Sequence, residues 1–304
     1  MINLLHPDLH HFFEEYPSEE NKTYFIYALA DAAQDSWFLK KNSHLHYRNL
    51  LTEAAGDKAA EISPHLVQLG HNHNIEWHYI SKRVVGTPRL TLIISSLDFD
   101  ILYSHLRQFL NVQFEGGLEM YLAFWDPAIL GTLVGQISDQ TLYVQQQVLS
   151  GQQKKVLLEP IHSWWYWDRK EKLHKIIGGN GHESLKFYDW KNPFTFTLLQ
   201  EELMVEATFP DHLIYYLNLN NPFLVEGFNE WELYQYVVEK IALAREYGLG
   251  GTRDILNFIC LTLIYKNTFE QEELLQSVLL KVKNKMMTMD QAMEDLESLV
   301  DENE

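Results

Sequence analysis

The chain has 304 residues, 46% of them hydrophobic and 13% aromatic, and carries 24 basic against 42 acidic side chains for a formal charge of −18. So much apolar material excludes a solvating acidic tail and suits one large or two medium folded domains. So acidic a surface is repelled by phosphate backbones and anionic lipid, which argues against nucleic acid and membrane surfaces as partners.

The lone cysteine, Cys260, has no internal disulfide partner and sits in an apolar helical run, which fits an inert thiol in a reducing compartment. Met1 to Leu5 is too brief an apolar start for a signal peptide, being interrupted by His6, Pro7 and Asp8. The longest apolar region, around Ile255 to Tyr265, falls short of the roughly 20 residues that span a bilayer. A soluble, cytoplasmic protein is expected.

In chain order, His10 to Glu20 reads as a polar, loosely attached lead-in. Tyr24 to Leu29 is a continuously apolar strand, hence central, with Asp31 at its carboxyl end, where α/β proteins place functional groups and where a turn aspartate is also at home. Gln34 to Lys41 suits a short helix, Ala54 to Ala60 a small-residue loop or irregular helix, and Ile62 to Leu69 another strand. Leu90 to Ser95 is a strand apolar on both faces, followed by a helix that starts with Ser95 and Asp98 as a capping-box-like pair and carries Phe99, Leu102, Leu106 and Phe109. Val112 to Phe114, Gly116-Gly117 and Leu118 to Trp125 form a hairpin; Asp126 then caps a helix whose first residue is Pro127. Strands interleaved with helices predict a mainly parallel or mixed sheet covered by helices.

From Val156 to Tyr188 aromatic strand-like runs are broken by Gly178-Gly179-Asn180-Gly181, which reads as a hairpin turn because no Lys-Ser/Thr follows to make a phosphate loop. Trp164, Trp165 and Trp167 lie here, and indoles with one polar edge are favoured at interfaces; they are candidate partner contacts or the packing of one lobe on the other. Beyond Pro193 the chain turns helical. Phe194 to Leu217 suits two helices, Asn229 with Glu232 caps a helix bearing Leu233, Val237, Ile241 and Ala244, Gly248 stops it, Thr252 starts the next, and Thr288 with Gln291 caps the last. The expected fold class is therefore α/β: an N-terminal mixed-sheet α/β lobe over 1–190, with an aromatic-rich hairpin region at about 155–190, and a C-terminal helical-bundle lobe over 191–304.

Three stretches resemble a known family. Ser95-Ser96, His105-Leu106-Arg107 and Phe124-Trp125-Asp126-Pro127 with Leu130 are similar to the "S … hLR … RF(Y/W)DPRvL" signature of the type VI secretion effector adaptors. Tyr27-Ala28-Leu29-Ala30-Asp31-Ala32-Ala33 is similar to that family's "YALlDAA", and Ser63-Pro64-His65-Leu66-Val67-Gln68-Leu69 to its "aPyLveL". The resemblance covers roughly Tyr24 to Tyr143, and Ala123 and Ala128 stand where the family usually has arginines. In the second lobe the order Ala244-Arg245-Glu246-Tyr247-Gly248, a helix and Phe269 resembles longer adaptors less specifically. The resemblance implies a chaperone that holds a cognate secreted effector in the cytoplasm and helps load it onto the valine-glycine-repeat spike protein without catalysis or cofactor. Asp31, Pro64, Arg107, Asp126 and Pro127 are the structural residues of the motif.

No nucleophile elbow, P-loop, H-E-x-x-H or C-x-x-C occurs, so an enzyme is not expected. The rival reading is a metal-dependent hydrolase built on His71 and His73 with the carboxylates Asp31 and Asp126. Near the end of the chain Asp290, Glu294, Asp295 and Glu297 form an acidic run without a base, either a solvated face or a docking surface for a basic segment.

Overall fold

A computed structural model describes residues 5–18, 22–51, 61–71, 75–85, 87, 89–179 and 194–301, with the backbone alone at 267 and 297–301. The expected Ala54 to Ala60 loop lies outside these residues. The chain divides into two compact units, Met1–Ala207 and Thr208–Glu304.

The first unit is an α/β arrangement around a sheet of six strands. In chain order these are β1 (Phe25–Asp31), β2 (Tyr47–Asn49), β3 (Pro64–Leu69), β4 (Leu90–Ser95), β7 (Ile161–Trp167) and β8 (Leu173–Ile177), and their spatial order is β2-β3-β1-β4-β7-β8. Every neighbouring pair is antiparallel. A smaller mixed sheet of three pairs β5 (Asn111–Phe114) antiparallel with β6 (Glu119–Tyr121) and parallel with β9 (Phe194–Phe196). The helices are α1 (Pro7–Glu14), α2 (Ser36–Lys41), α3 (Ile75–Tyr79, continued by a π turn over Ile80–Val84), α4 (Phe99–Arg107), α5 (Pro127–Val134) and α6 (Gly151–Leu158).

The mixed character holds for the smaller sheet, but the large sheet is not parallel. The interleaving of strands with helices predicts a mainly parallel or mixed sheet, and the continuous apolar strands predict cover on both faces. Here the coverage is real and the direction differs. All six residues of β4 are buried, and side chains alternate between two cores as the pleat requires. One core takes Tyr27, Leu29, Leu66, Ile93, Trp164 and Tyr166 against α4, α5 and α6, through side chains such as Leu102, Leu130 and Leu157. The other takes Ile26, Ala28, Val67, Leu92, Trp165 and Trp167 against Leu9, Phe12, Phe38, Trp77 and Ile80.

The lead-in is ordered through Ser18, and Glu19 and Glu20 lie outside the described residues. His6 caps α1 by accepting from the Asp8 amide, Pro7 occupies the first turn, and Leu9 and Phe12 are both at 0% exposure. Phe12 meets Trp165 edge-on at 5.5 Å, and Trp77 at 5.8 Å. Leu9, Phe12 and the partly buried Phe13, 4.7 Å from the Trp77 ring, anchor this helix, and their partners are far along the chain, so its sequence alone carries a weak signal. Other boundaries moved too. Asp98 alone caps α4, accepting from Ile101 N at 3.0 Å, while Ser95 Oγ donates to Pro160 O at 2.7 Å. Strand β6 stops at Tyr121, and the β7–β8 turn is made by residues 168–172 rather than by glycines. A Cβ on Gly178 would lie 1.8 Å from Ile161 O, so that glycine permits a close backbone approach, and Asn180 and Gly181 lie outside the described residues.

Beyond β9 the chain is helical, and Thr208, where the second unit begins, falls inside the first of these helices. Helix α7 (Leu198–Asn220) is a single helix where two were expected, with Pro210 inside it. It is followed by α8 (Glu230–Glu246), α9 (Thr252–Tyr265), α10 (Glu273–Lys283) and α11 (Met289–Asp301). Asn229 and Glu232 form the expected capping box, and Gly248 has φ +80°, as a left-handed stop requires. Thr288 and Gln291 cap α11 reciprocally at 2.9 and 3.2 Å. Leu233, Val237, Ile241 and Ala244 are buried, with Ile255, Phe258, Ile259, Leu275, Val278 and Leu296. Among the described residues no helix is long and apolar enough to cross a membrane.

Phe12→Ala should cost about 3–5 kcal/mol, the usual range for a buried Phe→Ala. Urea unfolding measures this, and a loss below about 0.5 kcal/mol would show that α1 contributes nothing to the core.

Candidate functional site

Four of the motif residues, Asp31, Pro64, Asp126 and Pro127, gather where β1 and β3 meet the start of α5. Asp31 ends β1 directly opposite Pro64, the first residue of β3. Its Oδ1 accepts from Ala33 N at 2.9 Å, a turn bond within two residues. Burial pushes the Asp31 pKa up, the neighbouring Asp126 carboxylate adds to this, and hydrogen bonds from Ala33, Trp125 and Gln34 oppose it. The two carboxylates are thus neighbours, as the hydrolase reading required. Asp126, however, is occupied: its Oδ1 accepts from Ala128 N at 2.9 Å and Ile129 N at 3.0 Å, with Pro127 opening α5. Arg107 closes the last turn of α4, where its guanidinium lies 5.9 Å from the Tyr103 ring centroid.

The histidines go elsewhere. His71 Nε2 sits 2.8 Å from Tyr16 Oη and 3.1 Å from Tyr24 O, and His73 lies outside the described residues. Among the described residues His71, Asp31 and Asp126 do not form a set of ligand distances.

Trp164, Trp165 and Trp167, expected as partner contacts, are 0%, 1% and 0% exposed. They fill the two cores of the first unit, and each indole N–H has an acceptor: Thr91 Oγ1, Ser163 Oγ and Asp8 Oδ2, all at 2.8 Å. Of the acidic residues on α11, Asp290 is half-buried with Arg253 Nε 3.2 Å away, whereas Glu294 and Asp295 are exposed. The side chain of Glu297 lies outside the described residues.

A buried polar cluster that sequence reasoning missed lies at the far end of β7 and β8. Tyr166 Oη donates to Asp139 Oδ2 at 3.0 Å, and Asp139 Oδ1 accepts from Thr141 N at 2.9 Å and Thr141 Oγ1 at 2.7 Å. Burial and Asp139 together push the Tyr166 phenol well above its ordinary pKa, so it stays a donor. His174 stacks on the Tyr166 ring at 5.3 Å and sits 2.7 Å from Asp168 Oδ2 through Nε2 and 3.0 Å from Ser138 Oγ through Nδ1. Asp168 also closes the hairpin turn, its Oδ1 accepting from Lys170 N at 2.7 Å and Lys172 N at 3.0 Å. Burial opposes ionising Asp168, but the hydrogen bonds from His174, Lys172 and Lys170 outweigh it and hold the carboxyl below its usual range. The only sequence signals are Asp139 two residues before Thr141 and an aspartate at a turn, which are too common to select.

Residues 26–143 match the family model of a domain of unknown function, DUF4123. No curated protein and no solved structure matches the chain. The matched interval contains Asp31, Pro64, Arg107, Asp126 and Pro127.

Two variants separate the carboxylates. Asp126→Ala should lower stability by about 1 kcal/mol through loss of the helix cap. Asp31→Asn keeps an oxygen for Ala33 N and removes the buried charge. Because the folded pKa is raised, the unfolded chain ionises first as pH rises past the ordinary 3.8, so wild-type stability falls through that window. The variant should gain on the wild type between about pH 4 and 7 in denaturant titrations; a constant difference across that range would contradict the burial of an ionisable Asp31.

Proposed function

We propose that the chain is an effector chaperone of a type VI secretion system. It would hold a cognate toxic effector in the cytoplasm by non-covalent contact and help load it onto the valine-glycine-repeat spike protein. The observation that carries this reading is the family match over residues 26–143, which coincides with the stretch whose motifs resemble the effector adaptors. The motif residues serve as strand ends and helix caps, so they define a common framework and leave other faces free to differ between partners.

The second unit offers such faces. Tyr215, Leu219, Phe223 and Ile264 are each more than half exposed, and α11 turns Glu294 and Asp295 to solvent. Aromatic and aliphatic side chains contribute affinity, and exposed carboxylates steer a basic segment toward them. This role needs shape and charge, and no bond to be made or broken.

The full-length protein expressed in its native host should co-purify with one secreted effector encoded nearby. Reversing charge at Asp290, Glu294 and Asp295 together should slow association by roughly tenfold at low salt and flatten its salt dependence, leaving dissociation nearly unchanged. Absence of any effector in the capture, with the protein shown to be folded, would sink the assignment. An effector bound with unaltered kinetics by the triple variant would instead remove α11 from the interface.

A further inference from the structure

The hydrogen-bond directions in the buried cluster can be worked out from Asp168. Both oxygens of an ionised carboxylate are acceptors, and Oδ1 of Asp168 is filled by the amides of Lys170 and Lys172. The proton between Asp168 Oδ2 and His174 therefore sits on Nε2. In a neutral ring Nδ1 is then the bare acceptor, and the group 3.0 Å from it is Ser138 Oγ, so the Ser138 hydroxyl donates to His174. Gln136 Nε2 completes the chain by donating to Ser138 Oγ at 3.0 Å. His174 and Asp168 are 2% and 4% exposed, whereas Ser138 faces solvent.

An exposed hydroxyl, a base within hydrogen-bond reach and a buried carboxylate orienting that base are the three parts of an activated nucleophile. The imidazole is turned end for end relative to the familiar serine-protease arrangement, with Nδ1 toward the hydroxyl. The same neighbourhood offers Asp139, Asp168 and His174 as ligands within 4.8 Å of one another. Their acceptor atoms are already filled by Thr141, Tyr166, the turn amides and the imidazole N–H, so a proton relay fits better than a cation.

We infer that Ser138 is a hydrogen-bond-activated nucleophile that takes an acyl group from small, unhindered esters, independently of effector binding. Ser138 Oγ forms a bond to the ester carbonyl carbon while its proton passes to His174 Nδ1. The carbon–oxygen bond to the alcohol breaks, and His174 returns the proton to the departing alkoxide. Water, giving its proton to Nδ1, then attacks the acyl-serine, and return of that proton to Oγ releases the carboxylic acid. Asp168 is a positioning residue that keeps the ring in the right tautomer and stabilises the imidazolium. Lys172 Nζ donates to the Ser138 backbone carbonyl at 3.4 Å, which brings one positive charge into the neighbourhood of the nucleophile.

The test uses the full-length protein with a fluorophosphonate probe and with p-nitrophenyl acetate. Peptide mass spectrometry should find the probe on Ser138, and ester hydrolysis should exceed a Ser138→Ala control by about 10²–10⁴-fold. Ser138→Ala leaves His174 Nδ1 without its donor, so the variant should stay folded but melt a few degrees below the wild type, which a thermal scan checks beside the activity. Asp168→Asn, if it folds, should slow labelling while leaving Ser138 in place. Failure of the probe to label Ser138 in folded protein, or hydrolysis unchanged in Ser138→Ala, overturns the inference and leaves the cluster a structural one. Either result is independent of whether an effector co-purifies.

Discussion

Strand β7 puts Trp164 and Tyr166 into one layer and Trp165 and Trp167 into the other, in a sheet with no wet face between β4 and β8. Each of these rings brings a polar hydrogen into the interior, and an unpaired buried donor costs about 1–3 kcal/mol. Much of the first unit follows from meeting that demand. Trp167 draws Asp8 and with it α1, Trp164 takes the hydroxyl of Thr91 on β4, and Tyr166 takes Asp139. A buried carboxylate in turn needs donors, which Thr141 supplies. The polar cluster at the end of β7 and β8 is thus a consequence of placing aromatic rings where water cannot reach.

Two-sided burial also explains why the motif residues sit at strand ends. Inside the sheet the ladder satisfies the backbone, and the free amides lie where strands stop and helices start. Asp31 and Asp126 meet those amides at β1 and at α5. Burial above all, with the Asp126 charge adding to it, raises the pKa of Asp31, and the hydrogen bond from Ala33 works against that cost. A scaffold whose characteristic residues are used in this way leaves its outer faces unconstrained, which suits the effector-binding role proposed for it.

The large sheet carries a second lesson about strand patterns. Absence of alternation in Leu90 to Ser95 reports that both faces are dry, and it says nothing about the direction of the neighbours. Antiparallel β1, β3, β4 and β7 reach the same burial because helices cover one face while α1, α2 and α3 cover the other.

What the sequence by itself determined were features decided within about one helical turn. The Asp126-Pro127 cap, the Asn229–Glu232 and Thr288–Gln291 boxes, the Gly248 stop, the apolar strands and the stripe from Leu233 to Ala244 all depend on residues at most four apart, or on a repeat set by the backbone. The tertiary structure alone decided which apolar residues meet and which polar ones are thereby trapped. Trp164, Trp165 and Trp167 suit an interface as well as a core on chemistry alone, and only their position between β4 and β8 makes them core. Phe12 gains its meaning from Trp165, and Ser138 from His174, 36 positions away. Such pairings depend on how strands are ordered in the sheet, and that order is set by the summed burial of the whole unit, which no short stretch of sequence records.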